Sequence, residues 1–268
     1  MQLGHSALSG AYRLEYFSEL DSTNTRAMDE ARNIPADVKF LRKWFIAGRQ
    51  NAGRGRMARP WVSEPGNLYA SLLLLDSLTP ARAAELGFVA GVALAEALSP
   101  ILPQVAQPKL KWPNDLLCNG AKVAGILLEA TTLPDGRFVC VIGCGVNCAS
   151  HPADTPYPAA SLHAFGAAVS PAEVFASLSS SFADWYMGWR DAGGFSAIRM
   201  AWLSHAAHLG QSISIALNGE TIQGIFRTID EHGRLVLEQP DGFRIIDTGD
   251  IMLTRSETAH QEPPPTGH

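Results

Sequence analysis

The chain has 268 residues, of which 46% are hydrophobic and 18% charged, and its formal net charge is −5. That length accommodates one large domain, or a large and a small one, around a substantial core, and the acidic balance argues against a nucleic-acid-binding surface. No run approaches the roughly 18 apolar residues of a membrane-spanning helix, and the N-terminal MQLGHSALSGAYRLEYF lacks a basic stretch followed by an apolar one, so a cytoplasmic protein is expected.

In chain order, residues 1–11 read as an N-terminal extension and YRLEYFSEL (12–20) as a first strand. Asp21-Ser22-Thr23-Asn24 supplies capping side chains for a helix over TRAMDEAR. KWFIAGRQ is a strand running into a glycine-arginine loop, and NLYASLLLLD is the near-continuous apolar run of a strand covered on both faces. The alanine-rich stretch 79–98 carries Leu86, Val89, Ala93, Leu94 and Ala97 at helical spacing. PKLKWPNDLLCNGAKVAGILLEA predicts strand, kink, strand, an Asn119-Gly120 turn and a further strand, followed by the buried-strand pattern RFVCVIGCGVN. Two helices come next; the first places Phe175, Leu178, Phe182, Trp185 and Trp189 on one face, and the second covers about 195–207. After Gly210 the pattern changes to five short strands joined by Asn218-Gly219, His232-Gly233 and Asp241-Gly242. The expected organisation is an α/β body over 12–208, a small C-terminal β-barrel over 209–256 and a disordered tail over 257–268.

Two stretches carry chemistry. Gly53-Arg54-Gly55-Arg56, closed by Trp61, combines guanidinium forks with bare backbone N–H groups, a combination suited to a phosphate or carboxylate. Gly53, Gly55 and Ala58 also fit G-x-G-x-x-A, but a dinucleotide fingerprint must open a helix, and here Pro60, Trp61, Pro65 and Gly66 lead into a strand. The second stretch is Lys111-Trp112-Pro113-Asn114-Asp115, seven residues before Lys122. Pro113 halts the strand, so an amide, a carboxylate and two lysines gather at one kink. A solvated turn would explain either stretch alone; both in one domain, with DSTN upstream, point to a site. Cys140, Cys144 and Cys148 are spaced four apart without a Cys-x-x-Cys pair, and with Cys118 they read as small buried hydrophobes. The eight histidines show no ligand spacing, so metal ligands are left unassigned.

Taken in order, DSTN (21–24), RQNAGRGRMARPW (49–61), NLYASLLL (67–74), KWPNDLL (111–117), KVAGILLE (122–129) and IGCGVN (142–147) resemble the bacterial biotin protein ligases over roughly residues 12–255. The resemblance implies a mixed sheet flanked by helices, related to class II aminoacyl-tRNA synthetases, and an SH3-like C-terminal barrel. It implies ATP, with Mg2+, as the activating substrate: biotin's carboxylate attacks the α-phosphate, giving biotinyl-5′-AMP and pyrophosphate. A lysine of the biotin carboxyl carrier domain of acetyl-CoA carboxylase, or a similar carboxylase, then takes the biotinyl group and releases AMP.

By carry-over, the biotin-binding positions are Ser22, Thr23, Asn24, Gln50, Gly53, Arg54, Gly55, Arg56, Lys122 and Gly125, with Ser22, Thr23 and Gln50 facing the ureido ring. The nucleotide-binding positions are Arg54, Arg56, Trp61, Lys122 and Asn147. Arg56, Lys122, Asp115 and Asn114 are the catalytic candidates: the cations would stabilise charge on the α-phosphoryl group. Asp115 would accept the proton of the incoming lysine, since only about one free lysine in 2,500 is neutral at pH 7. Asn114 would position it.

One departure concerns the loop, which in the family usually reads GRGRxGRxW; Ala58 holds the third glycine position. If that position needs positive φ, Ala58 adds about 1 kcal/mol of strain to loop closure. Dimerisation through a sheet edge, as in some family members, is a further expectation, as is loop ordering by ligand. A lipoate or octanoate transferase, a DNA-binding repressor and a non-catalytic binder are the competing readings. The GRGR and KWPND motifs disfavour the first, DSTN beginning at residue 21 leaves no room for a helix-turn-helix, and Arg54, Arg56, Asp115 and Lys122 together disfavour the third.

Overall fold

The computed structural model describes residues 1–76, 78–217 and 219–252. Asn218, the expected strand end beyond Met252 and the expected tail over 257–268 lie outside the described residues. The elements follow the predicted order: α1 (His5–Ser9), β1 (Arg13–Phe17), α2 (Thr23–Ala31), β2 (Leu41–Ala47), β3 (Leu68–Leu75), α3 (Pro80–Leu98), β4 (Pro108–Lys111), β5 (Asp115–Cys118), β6 (Ala121–Thr132), β7 (Phe138–Val146), α4 (Pro171–Gly188), α5 (Gly194–Ser204), then β8 (Ser212–Leu217), β9 (Glu220–Ile229), β10 (Leu235–Gln239), β11 (Gly242–Ile246) and β12 (Asp250–Ile251).

The first seven strands form one sheet in the order β1-β2-β3-β7-β6-β5-β4. Only β1–β2 is parallel, so the sheet is mixed. Every residue of β3 is buried, as its unbroken apolar run requires of a central strand with both faces covered. α3 packs on one face; Pro80 starts it, and the Thr79 hydroxyl accepts from Arg82 N at 3.4 Å. A Ser170–Glu173 capping box starts α4, which buries Phe175, Leu178 and Phe182 fully. Trp44 meets Phe175 and Phe182 edge-on, at 5.4 and 5.9 Å between centroids. On the opposite face α2 covers Phe45, Leu73 and Val141.

The N-terminal segment is more ordered than its sequence pattern predicts. α1 docks on α4 through Gly4 N and Ser6 N, which donate to Ser179 Oγ (2.9 Å) and Ser180 Oγ (3.1 Å), and it buries Ala7. Five residues are too few to show a helical period in sequence.

The C-terminal strands form a second, antiparallel sheet in the order β11-β10-β9-β8-β12, the SH3-like module. Its inner residues Ile215, Phe226, Leu235 and Leu237 join the same apolar cluster as α3 and α5. Trp112, buried at the β4–β5 kink, donates its indole N–H to Gly233 O at 3.0 Å and ties the two sheets together. All four cysteines are free and buried, and burial pushes their thiols up to about 12. Among the described residues no helix is long and apolar enough to cross a membrane.

Candidate active site

One cavity of about 330 Å3 opens where the N-terminus of α2, the glycine-arginine loop, the β4–β5 kink, the middle of β6 and β7, and β12 converge. Its floor is polar. Ser22 caps α2, its hydroxyl accepting from Thr25 N at 3.4 Å, and this leaves Thr23 and Asn24 at the first turn. Thr23 donates to Gln50 Oε1 from both N (2.8 Å) and Oγ1 (3.0 Å), while Gln50 Nε2 donates to Ser63 Oγ at 2.9 Å. Ser71, fully buried on β3, lies 2.7 Å from Thr23 Oγ1 and 2.5 Å from Asn24 Oδ1. Asn24 Nδ2 donates to Glu129 Oε2 at 2.8 Å, and Arg54 pairs with the same carboxylate at 3.2 Å. A continuous polar relay thus runs from the floor to the arginine loop. Gly143 faces it: a Cβ there would lie 2.3 Å from Asn24 Oδ1.

At the opposite end a carboxylate stands between two ammonium groups. Asp115 lies 2.9 Å from Lys111 Nζ and 2.6 Å from Lys122 Nζ. Burial pushes the Asp115 carboxyl up, but the charges of Lys122 and Lys111 outweigh it and hold the group below the usual carboxylate range. Asn114 is fixed from both ends: its Nδ2 donates to Ile126 O at 2.7 Å, and its Oδ1 accepts from Arg56 Nη1 at 3.3 Å. Lys122 Nζ stands 5.4 Å from the Trp61 ring centroid and 5.3 Å from that of Tyr157.

Trp61 lies flat on the sheet because two glycines leave room for it. A Cβ at Gly145 would come within 2.7 Å of its ring, and one at Gly125 within 3.1 Å. The loop before it is not helical: Met57 and Ala58 both have left-handed backbone, with φ 55 and 56. The expected conformational demand at the Ala58 position is therefore present, and two adjacent residues with a Cβ meet it.

Of the sequence-derived positions, Ser22, Thr23, Asn24, Gln50, Arg54, Gly55, Arg56, Trp61, Asn114, Asp115, Lys122 and Gly125 line the cavity. Gly53 and Asn147 do not. Gly53 is packed beneath the loop, where a Cβ would lie 2.5 Å from both Ser63 Oγ and Trp61 O. The buried Asn147 amide donates to Ala160 O at 3.1 Å and braces the segment after β7. Sequence reasoning missed Glu129, Arg59, Tyr157 and Asp250. Glu129 and Asp250 are carboxylates remote in sequence from the arginines they pair with, so no local signal marks them. The alternating Gly143 and Gly145 did carry one, since glycines two apart on a buried strand bare one face to a neighbour.

Among the described residues lining the cavity, Arg54, Arg56, Arg59, Lys111 and Lys122 set five positive charges against two negative charges, Asp115 and Asp250, with Glu129 paired to Arg54 just outside the lining. Such a wall favours an anionic ligand. The Asp115–Lys122 end can draw two anions together, and the hydroxyl and amide floor can read a neutral polar ring.

Residues 16–147 match the Biotin/lipoate A/B protein ligase family, and residues 208–253 match the Biotin protein ligase C terminal domain. The chain is 38% identical over 240 residues to the Biotin--[acetyl-CoA-carboxylase] ligase of Paracoccus denitrificans, covering 87% of this chain and 97% of that one. It is 32% identical to the Bifunctional ligase/repressor BirA of Bacillus subtilis, over 90% of this chain and 74% of that protein. The solved biotin protein ligase from Aquifex aeolicus in complex with biotin and ATP superposes with a TM-score of 0.73 at 26% identity, over 91% of this chain and 99% of that one. With both parts matched in order and with this identity and coverage, the chain belongs to the biotin protein ligase family.

Proposed function

We propose that this chain activates biotin with ATP as biotinyl-5′-AMP and transfers the biotinyl group to a lysine of a biotin carboxyl carrier domain. The observation that carries the reading is one cavity in which a neutral hydrogen-bonding floor meets five cationic side chains. The similarity to a named acetyl-CoA-carboxylase ligase supports a carboxylase carrier as the acceptor.

The floor made by Thr23, Asn24 and Gln50, the first two held from beneath by Ser71, suits the ureido ring, whose carbonyl and two N–H groups need both donors and acceptors. Lys122, with Arg54 and Arg56, offsets the repulsion between the biotin carboxylate and the α-phosphate. A carboxylate oxygen bonds to phosphorus as the bridging oxygen to the β-phosphate leaves with pyrophosphate. Trp61, seated on Gly125 and Gly145, is positioned to flank the adenylate.

In the second step a neutral carrier amine attacks the acyl carbon, AMP leaves with the bridging oxygen, and the amine's proton passes to solvent. Asp115 faces two ammonium groups already, and its lowered pKa makes it a weak proton acceptor. Its contribution is therefore to hold Lys111 and Lys122 and to orient the incoming amine. Mg2+ would enter with the nucleotide substrate. Phosphate oxygens would supply most of its ligands.

Incubation with biotin, MgATP and a carrier domain, followed by mass analysis of the carrier, tests the reading. The expected product is one biotinylated lysine, with pyrophosphate released only when biotin is present. Pyrophosphate release independent of biotin, or an unmodified carrier, would refute it.

A further inference from the structure

We infer that Asp250, on the last described strand, is a positioning residue for the nucleotide half of the reaction; the inference rests on assigning the cavity to adenylate formation. The glycine-arginine loop has little apolar anchorage of its own, since Met57 is 82% exposed. Its place is set by polar contacts, and most of those made by Arg56 go to the C-terminal sheet. Arg56 Nη1 donates to Asp250 Oδ1, Gly249 O and Asn114 Oδ1, each at 3.3 Å, and Nη2 donates to Thr248 Oγ1 at 3.3 Å. Arg59 takes the other oxygen, Asp250 Oδ2, so one carboxylate bridges the two guanidinium groups.

The bridge is held by backbone. β12 pairs with β8, Asp250 opposite Ala216 and Ile251 opposite Ile215. The adjoining Ile251 carbonyl accepts from Lys111 Nζ at 3.1 Å, and Lys111 in turn pairs with Asp115. Four consecutive residues of the C-terminal module, Thr248, Gly249, Asp250 and Ile251, therefore anchor the arginine loop and the lysine–carboxylate cluster. Asp250 does not reach the reacting atoms in this scheme; it determines where Arg56 stands when phosphate arrives.

The sign of the effect separates this role from simple electrostatics. Removing a negative charge from the wall of an anion site strengthens its attraction for ATP. Loss of positioning does the opposite, because Arg56 must then be ordered at the expense of binding. In biotin-dependent pyrophosphate exchange, Asp250→Asn should raise the KM for ATP about 10-fold, the effect of one lost charge-assisted contact. The KM for biotin should stay within about twofold, a difference too small to reflect a lost contact. Transfer of preformed biotinyl-adenylate to the carrier should be unchanged, and Asp250→Glu should recover most of the ATP affinity. Thr248→Val, which removes a neutral contact to Arg56 Nη2 and no charge, gives a second reading if Asp250→Asn folds poorly: a rise in the same direction, about threefold, because the Arg56–Asp250 contact remains. An unchanged or lowered KM for ATP in a folded Asp250→Asn, or in Thr248→Val, would overturn the inference. Wild-type protein unable to exchange pyrophosphate would instead overturn the adenylation assignment itself.

Discussion

Gly145→Ala tests whether the seat of Trp61 controls the lifetime of the adenylate. The added Cβ would lie 2.7 Å from Cε2 and 2.8 Å from Cζ2 and Nε1 of the indole. Carbon atoms rest about 3.5 Å apart, so the ring must retreat by roughly 0.7–0.8 Å at these atoms. It has little freedom to do so, because its backbone N–H donates to Gly53 O at 2.9 Å and its carbonyl accepts from Ser63 Oγ at 3.0 Å. Overpacking of this kind costs about 1–3 kcal/mol, which predicts adenylate release faster by about 5- to 150-fold. The assay is dissociation of preformed biotinyl-5′-AMP, followed by stopped flow against excess unlabelled ligand. Gly143→Ala is the companion variant: its Cβ meets Asn24 Oδ1 on the floor instead, so the KM for biotin should rise while the indole is undisturbed. An unaltered release rate in Gly145→Ala, or identical phenotypes for the two variants, would refute the division of the cavity into a floor and an indole side.

Ala58→Gly relieves a left-handed residue, so backbone amides of 56–59 should exchange more slowly by up to about fivefold, the counterpart of about 1 kcal/mol. Hydrogen exchange with mass detection reads this directly, and the same experiment with and without biotinyl-5′-AMP tests ordering of the loop by ligand. Asp115→Asn should slow transfer to the carrier by about 10- to 100-fold and leave adenylate formation less affected, because orientation is lost while Arg54, Arg56 and Lys122 remain; single-turnover measurements of each half-reaction separate the two. The Asp115 carboxyl is held below its ordinary value of 3.8, so its ion pairs stabilise the fold fully above that pH and are lost as pH falls through the lowered value. Urea unfolding between pH 5 and 2 should show that acid loss in the wild type and a flatter acid limb in Asp115→Asn.

What the sequence revealed was local. DSTN, GRGRMARPW and KWPND each collect their reactive side chains within a few residues, so residue type and spacing suffice to mark them. The structure then adds the partners. Glu129 reaches Arg54 across 75 positions, and Asp250 reaches Arg56 across 194. A solvated carboxylate and a site carboxylate look the same until the chain is folded. Asn147 shows the converse: its motif matches, but its amide braces Ala160 O outside the cavity lining. Strand and helix order was legible because burial on both faces leaves unbroken apolar runs such as β3, whereas α1 depends on its docking to α4 and not on any period of its own.

The four buried cysteines give the molecule an internal reporter. A thiolate, not a thiol, attacks alkylating and disulfide reagents, and with values pushed up to about 12 the native thiols are protonated at neutral pH. Cys118 lies on β5 and Cys140 on β7, both outside the cavity lining, so labelling there requires the packing around those strands to open. The rate of thiol capture by an excess of reagent therefore measures how often the central sheet opens, with no engineered probe, and each strand's contribution can be resolved by the cysteine that carries the label.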